Sequence, residues 1–302
     1  MSQITRQIGQ KQVYVSKPYV ALTAPLVGRQ TEMELITAAW MTGPGRLPLS
    51  PLLLGEPGVG KNRLVYELAH RTGKDLFIFQ GHEDVTAEDL ACAVRFSDDL
   101  ERRGKMDYIV SPLVTAMLNG GICFIDEIAK IRPRALALLV SVLDERRYID
   151  STLLGERVVA HEGFRFVAAT NTADLEGNAL PEFLKSRMRP VVPVGYPPKR
   201  EIEEIVLSRH SRLVDQAENL LTCFWLEWEQ INPQTPPTPR DAVYVFDLAL
   251  SLADFEAVGR SGTGDGGKIS LDPAVRAETV DEQRHLKRAL QELSRQRKEA
   301  SK

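Results

Sequence analysis

The chain has little of what several specialised classes of protein depend on. Of its 302 residues only three are cysteine, Cys92, Cys123 and Cys223, an odd number at wide spacing. That excludes a disulfide-stapled secreted scaffold and suits a reducing compartment. The five histidines, His70, His82, His161, His210 and His285, stand at no paired spacing, so a zinc centre is not expected. Neither sign of charge dominates: 38 basic residues against 41 acidic leave a net charge of −3, which disfavours a broadly basic nucleic-acid binder. Aromatics make up 7%, and Phe224 and Trp225, four and three residues before Trp228, read with it as helix core rather than as a stacking platform. The longest largely apolar stretch, Ala135 to Leu143 with Ser141 inside it, falls far short of the ~18 residues that a membrane-spanning helix needs. The opening MSQITRQIGQKQ has no apolar segment behind its charges, so it does not read as a secretory signal. A cytoplasmic location is the expectation. No internal repeat of about 20 to 50 residues is present, which excludes solenoids and propellers.

What the chain does have is rhythm. From Pro25 to about Val194 short apolar runs (Leu52–Leu54, Leu76–Phe79, Ile122–Ile125, Phe164–Ala169, Val191–Val194) alternate with helical patterns such as Arg63–His70 and Pro133–Arg147. Strands of this kind, buried on both faces and separated by helices, predict a parallel sheet in an α/β domain. Residues 1–24 are polar and read as an arm, with Val13-Tyr14-Val15 able to form an edge strand. The segment Pro193 to Pro198 ends the rhythm. Beyond it the pattern is helical only, so residues 25–195 form the α/β domain and 196–258 a smaller all-helical one. Gly259 to Gly267 reads as a flexible linker. The last stretch, with Leu286, Leu290 and Leu293 on a narrow stripe, reads as a charged helix with too few apolar residues for a core of its own.

The strongest chemical signal is Gly55-Glu56-Pro57-Gly58-Val59-Gly60-Lys61-Asn62, placed after the run Leu52–Leu54 and before a helical pattern. Strand, glycine-rich loop, lysine and helix in that order make a phosphate-binding P-loop. The glycines let the backbone turn successive N–H groups onto a polyphosphate, and the helix adds its positive end. Lys61 would reach the β- and γ-phosphates. Asn62 departs from the pattern, which has a Ser or Thr hydroxyl for Mg²⁺ at this position. Its amide offers a neutral oxygen one atom further out, and Mg²⁺ tolerates little error in its octahedron. The departure bears on the rate of hydrolysis rather than on binding.

Ile122-Cys123-Phe124-Ile125-Asp126-Glu127 supplies the second element: four apolar residues that end in two acids. In a parallel sheet this sets both carboxylates at the C-terminal edge of a buried strand, beside the P-loop. Asp126 would serve the Mg²⁺ shell, and Glu127 would orient and deprotonate a water.

These two motifs and those that follow resemble the AAA+ ATPases, in particular their MoxR-like branch, over roughly Pro25 to Leu252. Val27-Gly28-Arg29 resembles the family's opening motif near the adenine, and Leu64 lies on the helix after the P-loop. Ala168-Ala169-Thr170-Asn171 resembles sensor 1, which implies that Asn171 helps to hold the lytic water. Leu180 to Arg187 resembles the arginine-finger segment, with Arg187 reaching a neighbour's nucleotide and Arg189 competing for that role. Thr238-Pro239-Arg240-Asp241 resembles sensor 2, with Arg240 on the γ-phosphate. The local chemistry there agrees: Thr is a good N-cap, Pro suits the first helical position and Asp three on completes a capping box. Residues 91–112 read as a hairpin inserted in a helix and 148–160 as a second hairpin; in this branch such hairpins face the ring axis or the client.

The resemblance implies a three-layer P-loop domain with a helical lid, ATP and Mg²⁺ as ligands, and a hexameric homo-oligomeric ring. It further implies a protein client, with a von Willebrand A domain protein among the partners. Two alternatives stand beside this remodelling ATPase. Asn62 allows a ring that holds ATP as a structural ligand with slow or no hydrolysis. Asn171-Thr172-Ala173-Asp174 also resembles the McrB-like branch, nucleotide-gated subunits of DNA-directed machines, against which the net charge weighs.

Overall fold

A computed structural model describes residues 4–20, 25–97, 106–177, 180–210, 217–261 and 282–300. The chain divides into two units, Met1–Gly195 and Tyr196–Lys302. The first opens with β1 (Thr5–Ile8), β2 (Lys11–Tyr14), α1 (Gln30–Trp40), β3 (Leu52–Leu54), α2 (Lys61–Thr72) and β4 (Leu76–Gln80). It continues with α3 (Ala87–Ala91), β5 (Cys92–Phe96), β6 (Met106–Val110), α4 (Pro112–Asn119), β7 (Ile122–Asp126), α5 (Pro133–Leu136) and α6 (Leu139–Leu143). It closes with β8 (Tyr148–Ser151), β9 (Glu156–Val159), β10 (Arg165–Thr170), α7 (Thr172–Gly177), α8 (Glu182–Lys185) and β11 (Val191–Pro193).

The apolar runs of the sequence become one sheet in the order β11-β3-β10-β7-β4, and each neighbouring pair is parallel. Side chains alternate faces along a strand, so continuous apolar runs feed two cores. Ile122 and Phe124 of β7, with Val167 and Ala169 of β10, pack with Leu64, Val65 and Leu68 of α2. Cys123, Ile125, Phe166 and Ala168 face the other way, onto Leu113, Ala116 and Met117 of α4 and Leu136 and Leu139 beyond β7. Two helical layers around a parallel sheet are what such strands require, since neither face tolerates water.

The N-terminal residues differ from the expected separate arm. β1 and β2 form an antiparallel pair, and β2 runs parallel to β6, giving a second sheet of order β1-β2-β6-β5. Ile8 and Val13 enter the same core as Val110 and Leu113, and burying those side chains is what fixes the segment. The inserted residues between α3 and α4 form the hairpin β5–β6, and β8–β9 forms a second antiparallel hairpin.

The second unit holds α9 (Lys199–Arg209), α10 (Ala217–Ile231), α11 (Pro239–Ser261) and α12 (Glu282–Ala300). Its core joins Ile202 and Val206 to Leu220, Phe224 and Trp228, to Val245 and Phe246, and to Leu286, Ala289 and Leu290. The C-terminal helix is therefore part of the helical unit and not a free charged tail, because its narrow leucine stripe is completed by α10 and α11. Residues 259–261 continue α11, and the rest of the expected linker, 262–267, lies outside the described residues.

Candidate nucleotide site

β3 ends at Leu54, and the chain turns through Gly55–Gly60 before α2 begins at Lys61. Gly58 (φ 87°) and Gly60 (φ 107°) occupy the left-handed region that side chains rarely adopt. Gly55 is different: a Cβ there would collide with the Val194 carbonyl, so its role is close approach to the end of β11. Val59 and Leu64 are buried in the core beneath the loop. They support it from below, which is a different task from touching a ligand with their side chains. Glu56 and Pro57 complete the turn.

Lys61 is 7% exposed and straps the loop to the sheet. Its Nζ donates to the carbonyls of Gly55 (2.6 Å) and Glu56 (3.0 Å) and to Asn171 Oδ1 (2.8 Å). Asn171 follows the last residue of β10. Its Nδ2 donates to Asp174 Oδ2 at 3.0 Å, which turns the amide so that its oxygen faces Lys61.

Asp126 ends β7, the strand next to β10. Its Oδ1 accepts from the Glu127 backbone N–H at 2.9 Å, and its Oδ2 accepts from Asn62 Nδ2 at 2.7 Å. Glu127 itself sits in the left-handed region, φ 54° and ψ 39°. Its Oε2 accepts from Gln80 Nε2 at 2.9 Å and pairs with Lys130 Nζ at 3.0 Å. The hydrogen bond to Glu127 holds the Lys130 ammonium above its ordinary pKa. Glycine-rich loop, ammonium, two carboxylates and an oriented amide thus meet at one edge of the sheet, where open α/β sheets bind ligands.

Asn62 and Asp126 present oxygens, the hard donors that Mg²⁺ takes. Among the described residues no group of three or more His, Cys, Asp or Glu forms a metal cage. A pair of oxygen donors fits an ion that draws its other ligands from phosphates and water. The donor set therefore suits a nucleotide-bound magnesium.

The sequence reading named Arg29 only as part of the opening motif and did not single out Gln80, Lys130 or Tyr66 at this edge. Arg29, in the left-handed region at φ 66°, donates from Nη2 to the carbonyls of Val59 (2.9 Å) and Gly195 (2.7 Å) and pairs with Glu32 at 3.0 Å. The Val27-Gly28 segment is thereby tied to the phosphate loop by its third residue. Gln80 lies opposite Asp126 in the β4–β7 register, a neighbour that no local spacing announces. Lys130 and Tyr66 stood in view, three residues after Glu127 and four after Asn62. Tyr66 packs on Tyr19 with ring centroids 4.9 Å apart. Burial and a hydrogen bond to Tyr19 push its pKa up to about 12.

Of the three arginines singled out, Arg187 and Arg189 follow α8 and Arg240 belongs to the second unit. Arg187 Nη1 donates to the Phe183 carbonyl at 2.6 Å, and its Nε stands 3.9 Å from Asp144. That Nε is buried without a hydrogen-bond partner among the described residues. Arg189 is exposed. Arg240, also exposed, occupies the first turn of α11 in the second unit. The cap before it is complete: Thr238 Oγ1 accepts from Asp241 N at 3.2 Å, and Asp241 Oδ2 accepts from Thr238 N at 3.0 Å.

Residues 50–188 match the AAA domain of the dynein-related subfamily. Protein NorQ of Paracoccus denitrificans is 33% identical over 123 residues, 41% of this chain and 44% of that protein. The denitrification regulatory protein NirQ of Stutzerimonas stutzeri is 32% identical over 179 residues, 59% of this chain and 61% of that protein. Protein CbbQ of Hydrogenophilus thermoluteolus is 35% identical over 140 residues, 46% and 49% of the two chains. The chain thus spans about half the length of the curated relatives it matches. Among solved structures, the Holliday junction branch migration motor RuvB of Thermotoga maritima aligns with a TM-score of 0.53 at 18% identity. That alignment covers 88% of this chain and 70% of that one, a likeness of fold alone.

Proposed function

This AAA+ protein of the MoxR-like branch is, we propose, a ring-forming ATPase that couples ATP binding and hydrolysis to the remodelling or maturation of a partner protein. The observation that carries the reading is the convergence of Lys61, Asn171, Asp126 and Glu127 beside the phosphate loop. Lys61 donates to two loop carbonyls and to Asn171. A bound polyphosphate offers it stronger, charge-assisted partners, and the loop N–H groups and the start of α2 add theirs. Asn62 and Asp126 would hold magnesium, which when bound neutralises charge on the β- and γ-phosphates. The described partners of Glu127 both use Oε2, which leaves Oε1 to take a proton from the attacking water. Asn171 would steady that water.

Arg187 serves the neighbouring subunit's nucleotide in this reading, with Arg189 as the alternative finger, and Arg240 takes the sensor 2 role that the resemblance implies. Positive charge at the γ-phosphate stabilises the transition state. A finger supplied in trans makes the complete site a property of a closed ring, a hexamer by resemblance. The hairpins β5–β6 and β8–β9 are offered to the client; Phe96 and Met106, paired across β5–β6, are 71% and 52% exposed. NirQ is named for regulating denitrification, which supports an enzyme system as client, with a von Willebrand A domain protein as co-partner. A second reading, an ATP-held ring with little turnover, draws on the bond from Asn62 to Asp126 in place of a hydroxyl.

Steady-state Mg-ATP turnover measured against protein concentration tests the two. Turnover that rises with concentration and vanishes in Glu127→Gln and Arg187→Ala is expected. A parent without turnover that gains it in Asn62→Thr establishes the second reading. A monomer at all concentrations in Mg-ATP, by mass photometry, overturns both.

A further inference from the structure

Arg29 joins the middle of the phosphate loop to the end of the neighbouring edge strand. Its side chain is 9% exposed, and Nη1 is given to Glu32 at 3.0 Å. Nη2 stands between two carbonyls from distant parts of the chain, Val59 at 2.9 Å and Gly195 at 2.7 Å. Both ends of this bridge are held. On the Gly195 side, the Val194 N–H donates to the Leu54 carbonyl at 2.7 Å, and Val192 and Val194 are buried. On the loop side, the Val59 side chain is buried in the same core. Both bonds of Nη2 have an ionised donor, which makes them stronger than bonds between neutral groups.

What the Val59 carbonyl is joined to gives the bridge its consequence. In a planar trans peptide the C=O and the following N–H point in opposite directions. A Val59 carbonyl turned to Arg29 therefore sends the Gly60 N–H away from Arg29. Gly60 sits at φ 107°, a value open to glycine and rarely to other residues. Half a turn of the Val59–Gly60 peptide plane would return Gly60 to negative φ, which glycine adopts about as readily. A Cβ at Gly60 would meet no described atom within 4 Å, so packing does not hold the plane either. Such a turn would exchange a donor for an acceptor in a loop whose N–H groups bind a polyphosphate. Glycine itself does not choose between the two arrangements; the bond to Arg29 does.

We propose that Arg29 is a positioning residue for the phosphate loop. By holding the Val59 carbonyl it keeps the Gly60 N–H turned to the phosphates, with the end of β11 as its anchor. This rests on the nucleotide-binding reading above. It gives the third residue of the Val27-Gly28-Arg29 motif a task at the phosphates as well as beside the base.

The test is calorimetric titration of ADP with Mg²⁺ into the full chain at a series of salt concentrations, for the parent, Arg29→Ala and Arg29→Lys. Hydrogen–deuterium exchange of residues 55–62 at saturating ADP accompanies it. A hydrogen bond to a charged group is worth about ten- to a hundredfold. The loop keeps its other holds, among them the bonds from Lys61 to the Gly55 and Glu56 carbonyls. Arg29→Ala therefore weakens ADP by the lower figure, about tenfold, and speeds exchange across the segment by about as much. The salt dependence of binding stays as in the parent, because the guanidinium faces protein carbonyls and Glu32 rather than the ligand. Arg29→Lys, whose ammonium can reach one of the two carbonyls, falls between parent and alanine and serves if Arg29→Ala does not fold. ADP affinity within about twofold of the parent in every variant that folds overturns the proposal. So does weakened binding with unchanged exchange, which puts the effect on the base, or with a flatter salt dependence, which makes Arg29 a direct phosphate contact. A parent that binds no ADP overturns the nucleotide reading itself, which is a distinct result.

Discussion

Glu127 is the residue on which the proposed chemistry turns, and its backbone gives a prediction that turnover alone could not. Its φ of 54° places an L-residue in the left-handed region, at a cost of about 1–2 kcal/mol. Strain of this kind persists where the surroundings over-determine it. Here the Glu127 N–H is held by Asp126 Oδ1 at 2.9 Å, and its carbonyl accepts from Lys130 N at 3.0 Å. Glu127→Ala and Glu127→Gly both delete the contacts with Gln80 and Lys130, so those losses cancel between the two variants. Glycine adopts the conformation without strain but loses about 0.5–1 kcal/mol more in chain entropy. The difference leaves Glu127→Gly more stable than Glu127→Ala by about 1 kcal/mol. For a unit of the size of Met1–Gly195 this is about 2–4 °C in Tm. Calorimetric melts of both variants, with Mg-ATP turnover beside them, make the assay. Equal stability, or a more stable alanine variant, refutes the claim of strain. Turnover retained in either refutes Glu127 as the proton acceptor.

Three more expectations follow from the geometry. A Cβ at Gly81 would stand 2.5 Å from the Glu127 carbonyl and 2.9 Å from that of Asp126. Gly81→Ala thus displaces the Asp126-Glu127 turn, costs about 1–3 kcal/mol by urea titration, and lowers kcat if Glu127 acts as proposed. Thr238→Ala removes the capping bonds at the start of α11 and destabilises the helical unit by about 1 kcal/mol; a melt indistinguishable from the parent contradicts the cap. Leu290, 1% exposed in the core of that unit, becomes a cavity in Leu290→Ala at about 2–4 kcal/mol. An unchanged denaturation midpoint would mean that α12 is not integral to the unit.

Much of the fold is legible in the sequence because its signals are local. Ile122–Ile125 and Phe166–Ala169 carry apolar residues at every position, and only a strand covered on both faces uses both halves of such an alternation. The phosphate loop announces itself because its glycines, lysine and helix start are contiguous. Asp126 and Glu127 announce themselves because a buried strand that ends in acids has one edge to put them on. Thr238 to Asp241 form their cap within four residues. The contacts that complete the site have no such signature. Gln80 meets Glu127 because β4 lies beside β7 in a given register, and Arg29 reaches Val59 and Gly195 across the sheet edge.

The division follows from range. Periodicity, caps and loop chemistry act over one or two turns of chain, so composition and spacing determined by themselves the parallel sheet, the P-loop and its acidic partner strand. Which distant residues become neighbours is decided by strand register and by the burial of whole faces. Only the tertiary structure could join β1 and β2 to β6, complete the leucine stripe of α12 with α10 and α11, and set Tyr19 against Tyr66 beside Asn62. Each of those choices rests on apolar surface that finds its cover far away in the sequence.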